Sequence, residues 1–221
     1  MEKLSEQNDG LITLFHGSEK IIRVPEFGAG NMFNDYGRGF YTSPYFELAA
    51  EWAVPRRDVD GYVNTYELAA GGLAILDLDI EPFEHWITVL VQNRGGRFSR
   101  IVRERMSKFA EMYPFDTGKY DVIKGWRADD AYFSFIRDFF NVGLSLENLK
   151  VAMKFGGLGT QYCVVSKKAF GQLGFVEPPV KVSAAEYHPL RVMRDDGARN
   201  SYNAMLNLTQ GTTIFDMVGR D

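Results

Sequence analysis

Asp35-Tyr36-Gly37-Arg38-Gly39-Phe40-Tyr41-Thr42-Ser43 carries the chain out of a loop, through a short strand-like run at Gly39 to Thr42, and up to a helix. Ser43 is placed to cap that helix and Pro44 to fill its first position, where a missing N–H costs nothing. Phe46, Ala49, Ala50 and Ala53 then fall at i, i+3, i+4 and i+7, a spacing that gives the helix one buried face. Upstream, Leu11 to Phe15 reads as a strand that ends in His16-Gly17-Ser18. By alternation His16 shares a face with Ile12 and Leu14 at the sheet rim, and Gly17 lets another group approach the backbone. Between the two runs lies Pro25 to Arg38, rich in glycine and asparagine, with Phe27, Phe33 and Tyr36 embedded in it. Loops of that length are uncommon in compact domains and are often functional, for example as lids.

Further strand-like runs occur at Tyr62 to Leu68, Leu73 to Leu78, Tyr120 to Trp126 and Gln161 to Val165. Pro82 to Tyr113 reads as two helices separated by a turn at Gly95-Gly96. Its arginines, Arg94, Arg97, Arg100, Arg103 and Arg105, form either a solvated face or a substrate surface, and the solvated face is the simpler reading. Asp129 and Asp130 are placed to cap a helix whose Tyr132, Phe133, Ile136, Phe139 and Phe140 are too many for one narrow stripe. Glu177-Pro178-Pro179-Val180 punctuates the chain, and residues 183–221 turn polar, with an amphipathic helix expected around Ala198 to Leu208. These readings give one main domain over residues 11–176 and an extension over 177–221 packed on it. The irregular order of strands and helices favours an α+β fold over a doubly wound sheet.

Composition narrows the function. The chain has 221 residues, 45% of them hydrophobic and 14% aromatic, so it can bury a sizeable core. A net charge of −4 does not advertise a groove for polyphosphate backbones. Cys163 is the sole cysteine, which excludes an internal disulfide framework, and by alternation it shares a face with Gln161 and Val165 as a small buried residue. His16, His85 and His188 lack zinc-like spacing, so no metal site is expected, and His85 and His188 read as structural. Gly28-Ala29-Gly30 lacks a third glycine, and Gly156-Gly157-Leu158-Gly159 precedes a strand rather than a helix, so neither is a nucleotide-binding glycine loop. Met1 to Gly10 is polar and no run of apolar residues is long enough to span a bilayer; a cytoplasmic protein without membrane contact is expected. The sequon Asn207-Leu208-Thr209 would then go unmodified.

Taken singly, His16-Gly17-Ser18 is also what a partly buried histidine at a strand end looks like, and Tyr41 is also ordinary core packing. Taken in order, the segments resemble the ADP-ribosyltransferase superfamily and, more closely, the DUF3990 family within it. The resemblance runs from His16-Gly17-Ser18 through Asp35 to Ser43 and the helix ending Glu51-Trp52-Ala53. It continues through Tyr120-Asp121-Val122-Ile123-Lys124-Gly125, Ala128-Asp129-Asp130 and Thr160-Gln161-Tyr162-Cys163-Val164-Val165-Ser166, covering roughly residues 11–176. It implies two small sheets split around a cleft that takes NAD as a consumed substrate. It further implies that His16 bonds a ribose hydroxyl, that the Gly17 backbone holds the nicotinamide carboxamide, that Ser18 assists near the ribose and that Tyr41 stacks on nicotinamide. Where the best-known branches carry a glutamate on the 2′-hydroxyl, this chain carries Gln161. An amide can orient the ribose but cannot act as a base or stabilise a developing cation as a carboxylate does.

Asp129 and Asp130 are the nearest carboxylates in motif terms, although capping accounts for both. Arg38 either reaches an NAD phosphate or is a solvated loop residue. The expected activity is mono-ADP-ribosylation of a macromolecular acceptor, a protein or a nucleic acid, with a bacterial toxin or effector role and a neutralising antitoxin-like partner by family analogy. The alternatives are an NAD glycohydrolase or phosphorylase, and a catalytically inactive binding module that keeps the fold.

Overall fold

The computed structural model describes residues 10–94, 98–128, 130–205 and 211–219. In chain order the elements are β1 (Leu11–Ser18), β2 (Phe40–Thr42), α1 (Phe46–Ala53), β3 (Gly61–Ala69), β4 (Ile75–Asp77), α2 (Phe83–Asn93), α3 (Arg100–Met112) and β5 (Val122–Trp126). They continue with α4 (Asp130–Val142), α5 (Leu146–Ala152), β6 (Thr160–Val164), α6 (Lys167–Phe170), β7 (Leu173–Val182), α7 (Ala184–Met205) and α8 (Ile214–Val218). Strands β1-β3-β7 form one antiparallel sheet, and β2-β6-β5-β4 form a second in which β4 and β5 alone run parallel. The class is α+β.

Period-two alternation sorts the side chains into layers. Phe15 of β1 packs with Ala49, Ala50 and Ala53 of α1, while its neighbour Leu14 packs with Leu68, Val122, Tyr162 and Val164 between the two sheets. On the second sheet the intervening residues, Ile123 and Cys163, face the opposite way into the largest cluster, with Trp86, Phe109, Phe139 and Phe140 of the helices. The molecule is therefore a stack of α1, first sheet, second sheet and helical layer. The sheets meet at their edges too: Phe15 and Ser43 exchange two backbone hydrogen bonds of 2.8 Å.

That bridge corrects the expected start of α1. Ser43 pairs with Phe15, and its Oγ accepts from the N–H of Tyr45, the residue that precedes the first turn of the helix. The helix begins at Phe46, with Tyr45 preceding it and offering no side-chain cap. The two helices expected across Pro82 to Tyr113 are α2 and α3; Gly95-Gly96 and Arg97 between them lie outside the described residues. Helix α4 buries Tyr132, Phe135, Ile136, Phe139 and Phe140 at i, i+3, i+4, i+7 and i+8, while Phe133 is half-buried and Arg137 and Asn141 are exposed, so the set expected to exceed one stripe resolves to a single buried face.

Glu177-Pro178-Pro179-Val180 is no break: it lies inside β7, which pairs with β3, so the boundary drawn at residue 177 falls in mid-strand. Pro tolerates this place because β7 is an edge strand. The helix expected from Ala198 starts much earlier, as α7, and is described to Met205; the sequon at 207–209 lies outside the described residues. Arg194 of α7 pairs with the buried Glu51 of α1 at 2.7 Å. No helix among the described residues is long and apolar enough to cross a membrane.

Gly17 sits where β1 passes under α1, and a Cβ there would land on the Ala49 carbonyl oxygen. Gly17→Ala is expected to cost about 3 kcal/mol of unfolding free energy. Gly71→Ala, with nothing within 4 Å, should leave stability within about 0.5 kcal/mol of the parent in the same urea titration.

Candidate functional site

The edge bridge between Phe15 and Ser43 places the next residues of both strands side by side. His16 Nδ1 lies 2.7 Å from the Tyr41 carbonyl oxygen. A carbonyl can only accept, so Nδ1 carries the proton and Nε2 holds the lone pair. Burial pulls the imidazole pKa below its ordinary value, against the carbonyl bond that favours the charged form. His16 is thus a neutral acceptor, packed on the Phe40 ring with centroids 4.4 Å apart.

Tyr41 is tied by its hydroxyl to the turn before it, donating to the Gly37 carbonyl at 2.7 Å and accepting the Tyr36 N–H at 2.8 Å. Burial pushes its phenol far above the ordinary range, so the hydroxyl is a structural bond and the ring is what remains to meet a ligand. Gln161, at the second residue of β6, is 3% exposed. Its Nε2 donates to Asp35 Oδ2 at 2.8 Å and to the Trp126 carbonyl at 3.4 Å.

These three residues line one cleft of about 600 Å³. The loop between β1 and β2 forms much of its wall, through Ile22, Val24, Pro25, Glu26, Ala29, Gly30, Asn34 and Asp35. Buried polar bonds hold that loop at both ends. At its start, Asn64, opposite His16 in register, accepts from the Ile22 N–H and donates to the His16 and Lys20 carbonyls. At its end, Asp35 Oδ2 accepts from the Ala128 N–H at 2.9 Å, and the Tyr36 hydroxyl donates to the Trp126 carbonyl at 2.5 Å. Trp86 Nε1 shares both of these last oxygens at 3.1 Å.

The cleft also holds groups the sequence reading gave no role. Arg94 lies 3.4 Å from Asp35 Oδ1, donates to the Ala128 carbonyl at 3.0 Å and covers the Phe133 ring at 4.6 Å. Arg127 is buried with its guanidinium 3.7 Å above the centre of the Trp52 ring. The buried Trp52 indole N–H has no hydrogen-bond partner among the described residues. Asp35 belongs to the Asp35 to Ser43 segment, and Arg94 is one of five arginines between Arg94 and Arg105; only the tertiary fold separates either from its surroundings.

Of the other expected residues, Gly17 supports α1, and Ser18 Oγ accepts from the Lys20 N–H. Arg38 is exposed, and neither it nor Ser18 or Gly17 lines the cleft. Asp129 and the Asp130 side chain lie outside the described residues. Cys163 is fully buried beside Tyr41, and burial pushes its thiol well up. His85 stacks on Phe115 and pairs with Glu81, outside the cleft lining. Among the described residues no group of three or more His, Cys, Asp or Glu could hold a metal ion.

A family model described as "Protein of unknown function (DUF3990)" matches residues 12–175. No curated protein and no solved structure matches the chain.

The lowered His16 pKa has a measurable sign. Below about pH 6.5 the unfolded chain binds a proton at this residue that the folded chain refuses, so stability falls as the pH falls. His16→Gln removes this contribution. Comparing unfolding midpoints at about pH 7.5 and about pH 5.5, the wild type should lose more stability than His16→Gln.

Proposed function

We propose, for a chain that belongs to the DUF3990 family and carries this cleft, that it is an NAD-consuming mono-ADP-ribosyltransferase, moving ADP-ribose to a macromolecular acceptor and releasing nicotinamide. The observation that carries the reading is the meeting of His16, Tyr41 and Gln161, drawn from three distant segments, in one cleft whose volume suits a nucleotide cofactor. In this reading the neutral His16 Nε2 accepts a ribose hydroxyl and the Tyr41 ring stacks on nicotinamide. Arg127, which lines the cleft over the Trp52 ring, supplies a cation for the diphosphate. Ser18 and Arg38 take no part.

The reaction needs little covalent help from the protein. The C1′–N bond breaks with its electron pair passing to the nicotinamide nitrogen, and the ribose becomes oxocarbenium-like. An O–H or N–H group of the acceptor then bonds C1′ and gives its proton to solvent. Positioning and electrostatics are what the cleft contributes. A toxin or effector role, restrained by a neutralising protein partner, is the biological setting that goes with such chemistry. Water or phosphate as acceptor would make the same cleft an NAD glycohydrolase or phosphorylase.

One observation favours a second reading, an inactive module that binds NAD without turnover: both amide donors of Gln161 are directed at protein oxygens. Nicotinamide release, followed with NAD alone and with bacterial lysate, separates these. Transfer gives lysate-dependent release and ADP-ribose on a macromolecule; hydrolysis gives free ADP-ribose without lysate; the module gives binding alone. His16→Ala and Tyr41→Ala should each lower release by about 100-fold. Tyr41→Phe, which keeps the ring and loses only the bonds to the 36–37 turn, should retain most activity and lose about 1 kcal/mol of stability. If the protein does not bind NAD, the proposal is wrong.

A further inference from the structure

The proposed reaction develops positive charge on the ribose, yet the position that resembles the family's glutamate is the neutral Gln161. The structure holds a carboxylate one hydrogen bond away. Asp35 is 6% exposed, lines the cleft, and presents Oδ2 to Gln161 Nε2 at 2.8 Å and to the Ala128 N–H at 2.9 Å. Its Oδ1 faces Arg94 at 3.4 Å. Two N–H donors and a guanidinium form the surroundings of an anion, since a protonated acid would waste an acceptor among donors.

A buried charge on a loop is a costly way to fasten that loop. Apolar packing or a neutral amide holds a segment at less desolvation cost, and an ion pair replaced by well-packed groups is often no less stable. The loop end is fastened independently by the Tyr36 hydroxyl on the Trp126 carbonyl. What the Asp35 site has that a latch does not need is negative charge at the cleft wall, beside the residue expected to touch the ribose.

We infer that Asp35 is the catalytic carboxylate of this cleft and that Gln161 is its positioning residue. This rests on the NAD-consuming reading above. As the C1′–N pair leaves with nicotinamide, the oxocarbenium becomes a second counter-ion to Asp35, alongside Arg94. Asp35 takes no proton; the acceptor's proton passes to solvent, and no other reactant is required. Gln161 holds Oδ2 in place and, being neutral, leaves the carboxylate its charge.

The test exchanges charge and amide across the same hydrogen bond. Asp35→Asn should lower nicotinamide release by about 100-fold or more while NAD affinity, measured by calorimetry, stays within about threefold. The double variant Asp35→Asn/Gln161→Glu restores one carboxylate to the pair and should recover at least about tenfold of the loss. A purely structural Asp35 predicts otherwise: a lowered melting temperature, weakened NAD binding and no recovery. Release by folded Asp35→Asn at the wild-type rate overturns the inference, as does a folded double variant that binds NAD but is no faster than Asp35→Asn. Should Asp35→Asn fail to fold, the double variant alone decides, since it must then turn over within about tenfold of wild type. Failure of the parent reading looks different, because the wild type itself would then neither bind nor consume NAD.

Discussion

Two backbone hydrogen bonds between Phe15 and Ser43 set the geometry on which the rest of the molecule depends. They join the free edge of β1 in one sheet to the residue that follows β2 in the other. Because backbone bonds tolerate little variation in distance or angle, they fix the register of the two strands at their crossing. The next residue on β1 is His16 and the strand approaching Ser43 contains Tyr41, so the imidazole meets the Tyr41 carbonyl with no freedom left to the side chain. The same bridge keeps Ser43 in the sheet edge, and α1 starts three residues later, at Phe46, and passes above Gly17.

The loop between β1 and β2 is anchored by buried polar groups rather than by apolar packing. Asn64 serves its start, and Asp35 and Tyr36 serve its end. Each such group would cost desolvation if left alone, and each is satisfied by two or more partners. Between these anchors Val24, Phe27, Met32 and Phe33 remain exposed, and of these Val24 lines the cleft. The cleft wall at the two ends of the loop is thus held by the fold itself, while the middle of the loop carries apolar surface outward.

Electrostatics give the cleft its character. Its histidine is neutral by burial, its tyrosine hydroxyl is spent on the backbone, and its buried charged groups come as Asp35 against Arg94 and Arg127 against the Trp52 face, with Glu26 exposed at the wall. Nothing in this set is a strong base at neutral pH. Such a site is suited to stabilising a developing positive charge and orienting a flat ligand, and ill suited to proton abstraction.

Short-range patterns in the sequence determined the first six strands, the pair of helices over Pro82 to Tyr113 and the α+β class, because alternation and helical spacing are local properties of the chain. The motif order likewise singled out His16, Tyr41 and Gln161, whose residue types carry their chemistry with them. The start of α1, the passage of β7 through Pro178-Pro179 and the length of α7 were not legible, since pairing to distant strands overrode local turn and capping signals. Nor was the separation of Arg94 from Arg100 and Arg103, or of Asp35 from any loop aspartate. A charge acquires a function only from what is packed within a few ångströms of it, and those neighbours, Gln161, Ala128 and Arg94, come from parts of the chain that only the folded sheets bring together.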